Sequence, residues 1–268
     1  KNKSKSSKKN SDKKETVPNA NYLWINYFAT SLKENGKAAL VMANSASDAG
    51  NSEYDIRKKL IEEGIISQMV TLPSNMFSSV TLPATLWFFD KSKPQEKKDE
   101  ILFIDARNVF TQVDRAHRKF TDEQIKNLGI ITRLYEGDNQ AFEDLINEYK
   151  SNLNQAPETS DDEEIKPKEY WQSQIDWLEE RFPDEKYRDV IGLCKAAKLE
   201  GEDGIIDQDY SLNAGRYVGV VIEDDGMTAE EFKAEMLSLN EELTKLNAEA
   251  QELEKQIAEN LANLFGGK

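Results

Sequence analysis

Cysteine and histidine are almost missing from this chain of 268 residues: Cys194 and His117 each stand alone. A single cysteine cannot close an internal disulfide, which fits a reducing, cytoplasmic setting. One Cys and one His are too few for a Cys/His zinc site, so no metal is expected. Long apolar runs are missing as well. The longest, about Ala38–Ala43, falls far short of the roughly 20 residues that span a bilayer. The first residues are Lys, Asn and Ser without an apolar stretch, so no signal peptide is visible and no membrane partner is expected. The chain opens on Lys1 and not on Met, and the expectation is a cropped, processed or fragmentary product.

What is present is acid. Charged residues make up 32% of the chain and the net charge is −15. That balance repels phosphates, so a free-standing nucleic-acid binder is disfavoured; a binder whose basic surface comes from a partner is not. Residues 1–18 are the exception, with seven Lys against Asp12 and Glu15. They read as a flexible basic tail, with a DNA-contacting arm as the sharper alternative. Arg107, Arg115, His117, Arg118 and Lys119 form the basic cluster of the folded part. They suit either phosphate contact or a salt-bridged surface loop. No Ser or Cys nucleophile pattern surrounds His117, so it is a poor general base. Asp161, Asp162, Glu163 and Glu164 lack the alternating ligands and turn Gly of a metal loop and read as solvated linker.

Periodicity orders the rest. Trp24, Phe28 and Leu32 mark one face of a helix over Asn21–Leu32, ended by a left-handed Gly36. Ala38–Ala43 reads as a strand buried on both faces, as parallel strands are. Asn44–Asn51 is a small-residue loop at the strand's carboxyl end, where open α/β sheets bind ligands. Ser52 with Asp55 predicts a capping box, and Gly64 ends that helix. Ile65–Leu72 and Pro83–Phe89 read as strands joined by a loop too short for a parallel crossover, hence as an antiparallel pair. Ile101–Ile104 is a short strand and Asp105–Lys119 irregular. Helices follow from Thr121, over Phe142–Leu153, over Trp171–Phe182 and over Tyr187–Leu199.

The clearest pattern lies last. Thr228 with Glu231 predicts a cap. Phe232, Met236, Leu239, Leu243, Leu246, Ala250, Leu253, Ile257, Leu261 and Leu264 then form a heptad seam with one slip near its end. Such a stripe is buried either within this chain or against another subunit.

Six segments, in this order and spacing, carry a resemblance. They are Asn19-Ala-Asn-Tyr-Leu-Trp24, Val41-Met-Ala-Asn-Ser-Ala-Ser-Asp48, Thr81-Leu-Pro-Ala-Thr-Leu-Trp-Phe-Phe-Asp90, Phe103-Ile-Asp-Ala-Arg107, Gln112-Val-Asp-Arg-Ala-His-Arg118 and Tyr210-Ser-Leu-Asn-Ala-Gly-Arg-Tyr217. With them the chain resembles the C-terminal part of the modification (methyltransferase) subunit of type I restriction-modification systems. The resemblance implies an α/β fold: the second half of a doubly wound class I methyltransferase sheet ending in an antiparallel hairpin, a helical extension, and a long C-terminal coiled-coil helix. The expected organisation is a tail over 1–18, half a methyltransferase domain over 19–120, a helical extension over 121–205 with an acidic linker at 156–167, and a turn motif plus arm over 206–268.

The same resemblance implies methyl transfer from S-adenosylmethionine to adenine N6 in double-stranded DNA. It implies a specificity subunit docked on helix 228–264 and a restriction subunit in the full complex. The family's Gly-rich cofactor turn and its Asn-Pro-Pro-Phe catalytic loop have no counterpart here. No catalytic residue is therefore expected within the chain, and the fragment alone is expected to be inactive. Ala214 stands where the family often has Pro. By analogy with similar adenine methyltransferases, Phe77 is the aromatic residue that stacks on a flipped target base; the alternative is a plug for its own loop. Asn44, Ser45 and Ser47 are candidates for a pocket wall. Arg107, Arg115, Arg118 and Lys119 are candidates for DNA phosphate contact. The competing readings are a non-catalytic coiled-coil interaction module or decayed gene product, and a small-molecule methyltransferase, for which the long arm has no evident use.

Overall fold

The computed structural model describes residues 20–77, 80–160, 162, 165–221 and 228–265. The basic tail, Ser78, Ser79, Asp161, Glu163 and Glu164 lie outside the described residues. The chain divides into two compact units, Lys1–Val221 and Ile222–Lys268.

In chain order the first unit contains α1 (Ala20–Ser31), β1 (Lys37–Ala43), α2 (Ser52–Glu62), β2 (Ile66–Thr71), β3 (Ala84–Asp90), β4 (Glu100–Asp105), β5 (Thr111–Gln112), β6 (Arg118–Lys119), α3 (Asp122–Glu136), α4 (Gln140–Gln155), α5 (Lys168–Arg181) and β7 (Cys194–Lys198). Five strands form one sheet in the order β1-β3-β2-β4-β7. β3 runs antiparallel to both β1 and β2, β2 is parallel to β4, and β7 is antiparallel to β4. The expected antiparallel pairing of β2 with β3 forms, but it does not close the sheet: β3 is inserted between β1 and β2, and β4 with a second antiparallel strand, β7, carries the sheet onward.

Alternation along the strands builds two cores, one on each face. Ile101 and Phe103 of β4, with Trp87 and Phe89 of β3, face α1, α2 and the segment 205–218. Leu102 and Ile104 of β4, with Leu86 and Phe88 of β3, face α3, α4 and α5. Residues 121–205 thus share a core with the sheet, through the helices and through β7 itself. α3 opens with the expected reciprocal cap between Thr121 and Gln124 and closes on Gly137 at φ 91°.

Six local expectations are corrected. β1 is an edge strand, mostly exposed, with Val41 53% accessible, because among the described residues it pairs only with the antiparallel β3. The buried stripe of α1 is Tyr22, Ile25 and Ala29; Trp24 and Tyr27 point outward at 58% and 63% exposure. Gly36 is not left-handed; it is needed for space, since a Cβ there would meet the Lys33 backbone nitrogen at 3.0 Å. No side-chain cap forms at the start of α2; Asn51, at φ 57°, is its N-cap. Tyr187–Leu199 is not a helix, because its second half pairs with β4 as β7. Within Asp105–Lys119, β5 and β6 also form a small hairpin.

The second unit is α6 (Ala229–Phe265), 37 residues and about 55 Å long. The Thr228 hydroxyl accepts from the Glu231 backbone N–H at 3.3 Å, and a Glu231 carboxylate oxygen accepts from the Thr228 backbone N–H at 2.8 Å. Phe232, Leu239, Leu243, Leu246, Leu253 and Ile257 of the seam are each 52–58% exposed. The side chain of Leu264 lies outside the described residues.

Cys194 tests the second core. Its side chain is fully buried, and burial pushes the thiol up to about 12. Iodoacetamide at pH 8 is expected to leave the native protein unlabelled and to label it fully in denaturant, as read by intact mass; rapid native labelling would mean that β7 does not seal this face.

Candidate functional site at the carboxyl end of the sheet

β1, β2 and β4 point the same way, so their carboxyl ends lie along one edge of the sheet. Three segments follow those ends: the turn after β1, the β2–β3 loop, and the stretch from Asp105 through the β5–β6 hairpin. The segment 210–217 returns to the same end, its Leu212 N–H donating to the Ser47 carbonyl at 3.0 Å. The expected site residues are thereby gathered at one end of the sheet.

After β1, Asn44–Asp48 is a 3₁₀ turn rather than an open loop. The Asn44 side-chain carbonyl accepts from the Thr85 hydroxyl at 2.8 Å. Ser45 is exposed. Ser47 is fully buried, and its hydroxyl has no partner. Asp48 accepts from the Ser211 hydroxyl and, at 3.4 Å, from the Asn213 amide.

Arg57 of α2 fastens this end together. It is 2% exposed. Its Nε donates to the Tyr210 carbonyl at 2.7 Å, and its Nη1 donates to the Ala49 carbonyl at 2.5 Å and the Tyr22 hydroxyl at 3.3 Å. The Tyr22 hydroxyl donates in turn to the Ala46 carbonyl at 2.6 Å, and burial raises its pKa. Tyr217 stacks on Phe103 with centroids 4.0 Å apart, and its hydroxyl donates to the Ser211 carbonyl at 2.6 Å. Arg57 was not among the expected residues. The available signal was a charged residue on the α2 face that carries Leu60 and Ile61. The turn at Ala214 is intact without proline: Asn213 Oδ1 accepts from the Gly215 N–H at 3.2 Å.

The β2–β3 loop carries Phe77, 42% exposed, with Val80 at 47% and Leu82 at 72%. Phe77 and Val80 are bridged, Val80 N–H donating to the Phe77 carbonyl at 3.3 Å. The basic residues divide into two kinds. Arg107 is held by both oxygens of Asp105, its Nε at 2.9 and 3.0 Å, and that carboxylate raises its pKa. Arg118 donates to Ser74 Oγ at 3.0 Å and Gln112 Oε1 at 3.2 Å, and lies 4.0 Å above the Phe110 ring. His117 Nδ1 sits 2.8 Å from Asp114 Oδ2. Arg115 and Lys119 are exposed and make no side-chain bond among the described residues. No cluster of metal-ligating side chains occurs among the described residues, and no described helix is long and apolar enough to cross a membrane.

A mixed sheet covered by helices on both faces, with polar segments gathered where its parallel strands end, defines an α/β protein; that end is where open α/β sheets bind ligands. The comparisons carry this further. The chain belongs to the N-6 DNA methylase family, whose model matches residues 1–225. It is 35% identical over 251 residues to the methylase subunit of the type I restriction enzyme MjaIX of Methanocaldococcus jannaschii, covering 92% of this chain and 36% of that protein. It is 32% identical over 248 residues to the methylase subunit of the type I restriction enzyme HindI of Haemophilus influenzae, covering 92% of this chain and 44% of that protein. This chain thus spans less than half the length of either relative.

Replacing Arg57 by Met removes three hydrogen bonds and leaves buried carbonyls unmet. The expected loss is about 3 kcal/mol, seen as a lower Tm and as faster proteolysis between residues 200 and 218. An unchanged Tm would show that the segment 205–218 is held by its apolar contacts alone.

Proposed function

We propose that this chain is part of the modification subunit of a type I restriction-modification complex, which transfers a methyl group from S-adenosylmethionine to adenine N6 in double-stranded DNA. The observation that carries the reading is the family match over residues 1–225, joined to relatives that are themselves type I methylase subunits.

S-adenosylmethionine supplies the methyl group. The residues present fit one wall of its pocket. Asn44 uses its side-chain oxygen on Thr85 and keeps its amide nitrogen free among the described residues, while Ser47 offers a buried hydroxyl without a partner. Ser45 lies at the rim. The Gly-rich turn and the Asn-Pro-Pro-Phe loop have no counterpart in residues 1–268. The cofactor site and the groups that hold the adenine amine are completed by a segment outside them, and the chain alone is inactive.

Three features support a missing neighbour. The outer edge of β1 has no strand beside it among the described residues. An apolar groove of about 700 Å³, lined by Leu86, Phe88 and Leu128, runs between the sheet and α3. Leu23, Trp24 and Tyr27 of α1 are exposed at 57–63%. An additional α/β segment would pair that edge and cover these surfaces.

Methylating an adenine inside a duplex requires taking it out of the stack, and the flipped base needs an aromatic face. Phe77, exposed at the carboxyl end of β2, is that face. Arg115 and Lys119 are free to meet phosphates beside it; Arg107 and Arg118 are already engaged by protein groups. The seam of α6 docks on the specificity subunit, which reads the DNA sequence, and the restriction subunit joins the resulting complex.

Two measurements test the reading in the intact complex. Phe77→Ala should weaken capture of the target adenine and lower the methylation rate at least tenfold, leaving cofactor affinity intact; unchanged methylation kinetics would sink the role of Phe77. Removing Thr228–Lys268 should abolish co-purification with the specificity subunit. A truncated protein that still assembles would refute the docking role of the arm.

A further inference from the structure

Arg118, which from sequence alone suits either a DNA phosphate contact or a surface loop, is bonded to the loop that carries Phe77. Arg118 lies in β6, and its contacts run toward the protein. Its backbone N–H donates to the Asn75 carbonyl at 3.0 Å. Its Nη1 donates to Ser74 Oγ at 3.0 Å and its Nε to Gln112 Oε1 at 3.2 Å. The guanidinium lies 4.0 Å from the centroid of Phe110. Two residues of the β2–β3 loop, its own hairpin partner and an aromatic face are therefore held by one side chain and its amide.

The loop needs such a hold. Asn75 sits at φ 60°, a conformation that costs most residues about 1–2 kcal/mol and that Asn tolerates best. The Asn75 N–H donates across the loop to the Thr81 carbonyl at 3.2 Å. Phe77 follows two residues later, 42% exposed and bridged to Val80, so its direction depends on how the loop is held. The support is itself stiff. At the tip of the β5–β6 hairpin, Asp114 Oδ1 accepts from the N–H groups of Ala116 at 2.7 Å and His117 at 2.9 Å. β5 pairs with β6 through Thr111–Lys119 and Gln112–Arg118.

We propose that Arg118 is a positioning residue: together with the β5–β6 hairpin it braces the β2–β3 loop so that Phe77 is presented to the extruded base, and it does not neutralise a DNA phosphate. This rests on the base-stacking reading of Phe77. Arginine suits the task because its planar fork donates in two directions while its face lies on an aromatic ring, which a lysine ammonium cannot do.

The test uses the intact enzyme complex with 2-aminopurine in place of the target adenine, and the variants Arg118→Lys, Arg118→Met, Phe77→Ala and Phe77→Ala/Arg118→Met. The brace predicts that Lys fails as Met does. Each lowers the methylation rate about tenfold, since small misplacements of a reacting group carry costs of that order. Each also shifts the 2-aminopurine emission toward that of Phe77→Ala. The double variant should be no worse than Phe77→Ala alone, and the salt dependence of DNA affinity should stay unchanged. A phosphate contact predicts the opposite: Lys rescues, emission is unaltered, and Met lowers the slope of log affinity against log salt by about 0.9. That result overturns the proposal. Amide exchange in residues 73–82 separates the brace from the reading it rests on. Faster exchange there in Arg118→Met supports the brace, and unchanged exchange overturns it. If Phe77→Ala leaves rate and emission untouched, the base-stacking role falls and exchange alone decides whether Arg118 holds the loop.

Discussion

The arrangement at the carboxyl end of the sheet depends on one buried guanidinium. Arg57 is taken almost wholly out of water, where an unmet cation costs several kcal/mol. Its acceptors come from three separate stretches of chain: Tyr22 on α1, Ala49 after the 3₁₀ turn, and Tyr210, which is 153 residues away in sequence. The last is the most consequential. Asp209 and Tyr210 both adopt a φ of 53°, a left-handed conformation that non-glycine residues avoid. The bond from Arg57 to the Tyr210 carbonyl offsets that strain and sets the direction of the chain that follows. Ser211 then reaches Asp48, Leu212 reaches Ser47, and Tyr217 comes to rest on Phe103. A C-terminal segment is so made part of the wall around the turn after β1. Interactions confined to α2 would leave that wall open.

Much of the architecture was legible because apolar strands and capped helices announce themselves locally. β1 to β4 and α1 to α5 stand within a few residues of their expected places, and the Thr121 cap forms as the spacing implies. The order of strands was not legible. That β3 lies between β1 and β2 is a matter of long-range pairing, to which alternation within a strand is blind. β7 shows the same limit. Its residues, Cys-Lys-Ala-Ala-Lys, have little strand preference and favour a helix. Pairing with β4 from Glu100–Lys198 to Ile104–Cys194 overrides that preference.

The candidate site was legible as residue types and not as engagements. A run with Arg107, Arg115, Arg118 and Lys119 looks like four equivalent cations. In the fold, Asp105 takes Arg107, and Ser74, Gln112 and Phe110 take Arg118, which leaves Arg115 and Lys119 without a side-chain bond among the described residues. Only the fold brings Ser74 beside a residue 44 positions later. Asn44 and Ser47 are conspicuous in the sequence because they follow a strand; the fold shows in addition that Asn44 is bonded to Thr85 and that the Ser47 hydroxyl is buried. Arg57 does not stand out in the sequence, because a charge on a helix is ordinarily a solvated one.

The charge of the chain takes on direction once it is divided between the two units. Residues 228–265 carry nine Glu and three Lys, which accounts for −6 of the net −15. A helix so acidic, with Phe232, Leu239, Leu243 and Leu246 half-exposed along one seam, repels a duplex and favours an apolar protein surface. The free cations Arg115 and Lys119 lie instead in the hairpin that Arg118 joins to the Phe77 loop. On the proposed reading, Arg115 and Lys119 draw a duplex to the end of the sheet where the base must be received, and the seam of the arm draws a subunit. On the same reading, the remaining positive surface that a duplex requires comes from the partner, because an acidic chain with two exposed cations at that end offers a duplex little of its own.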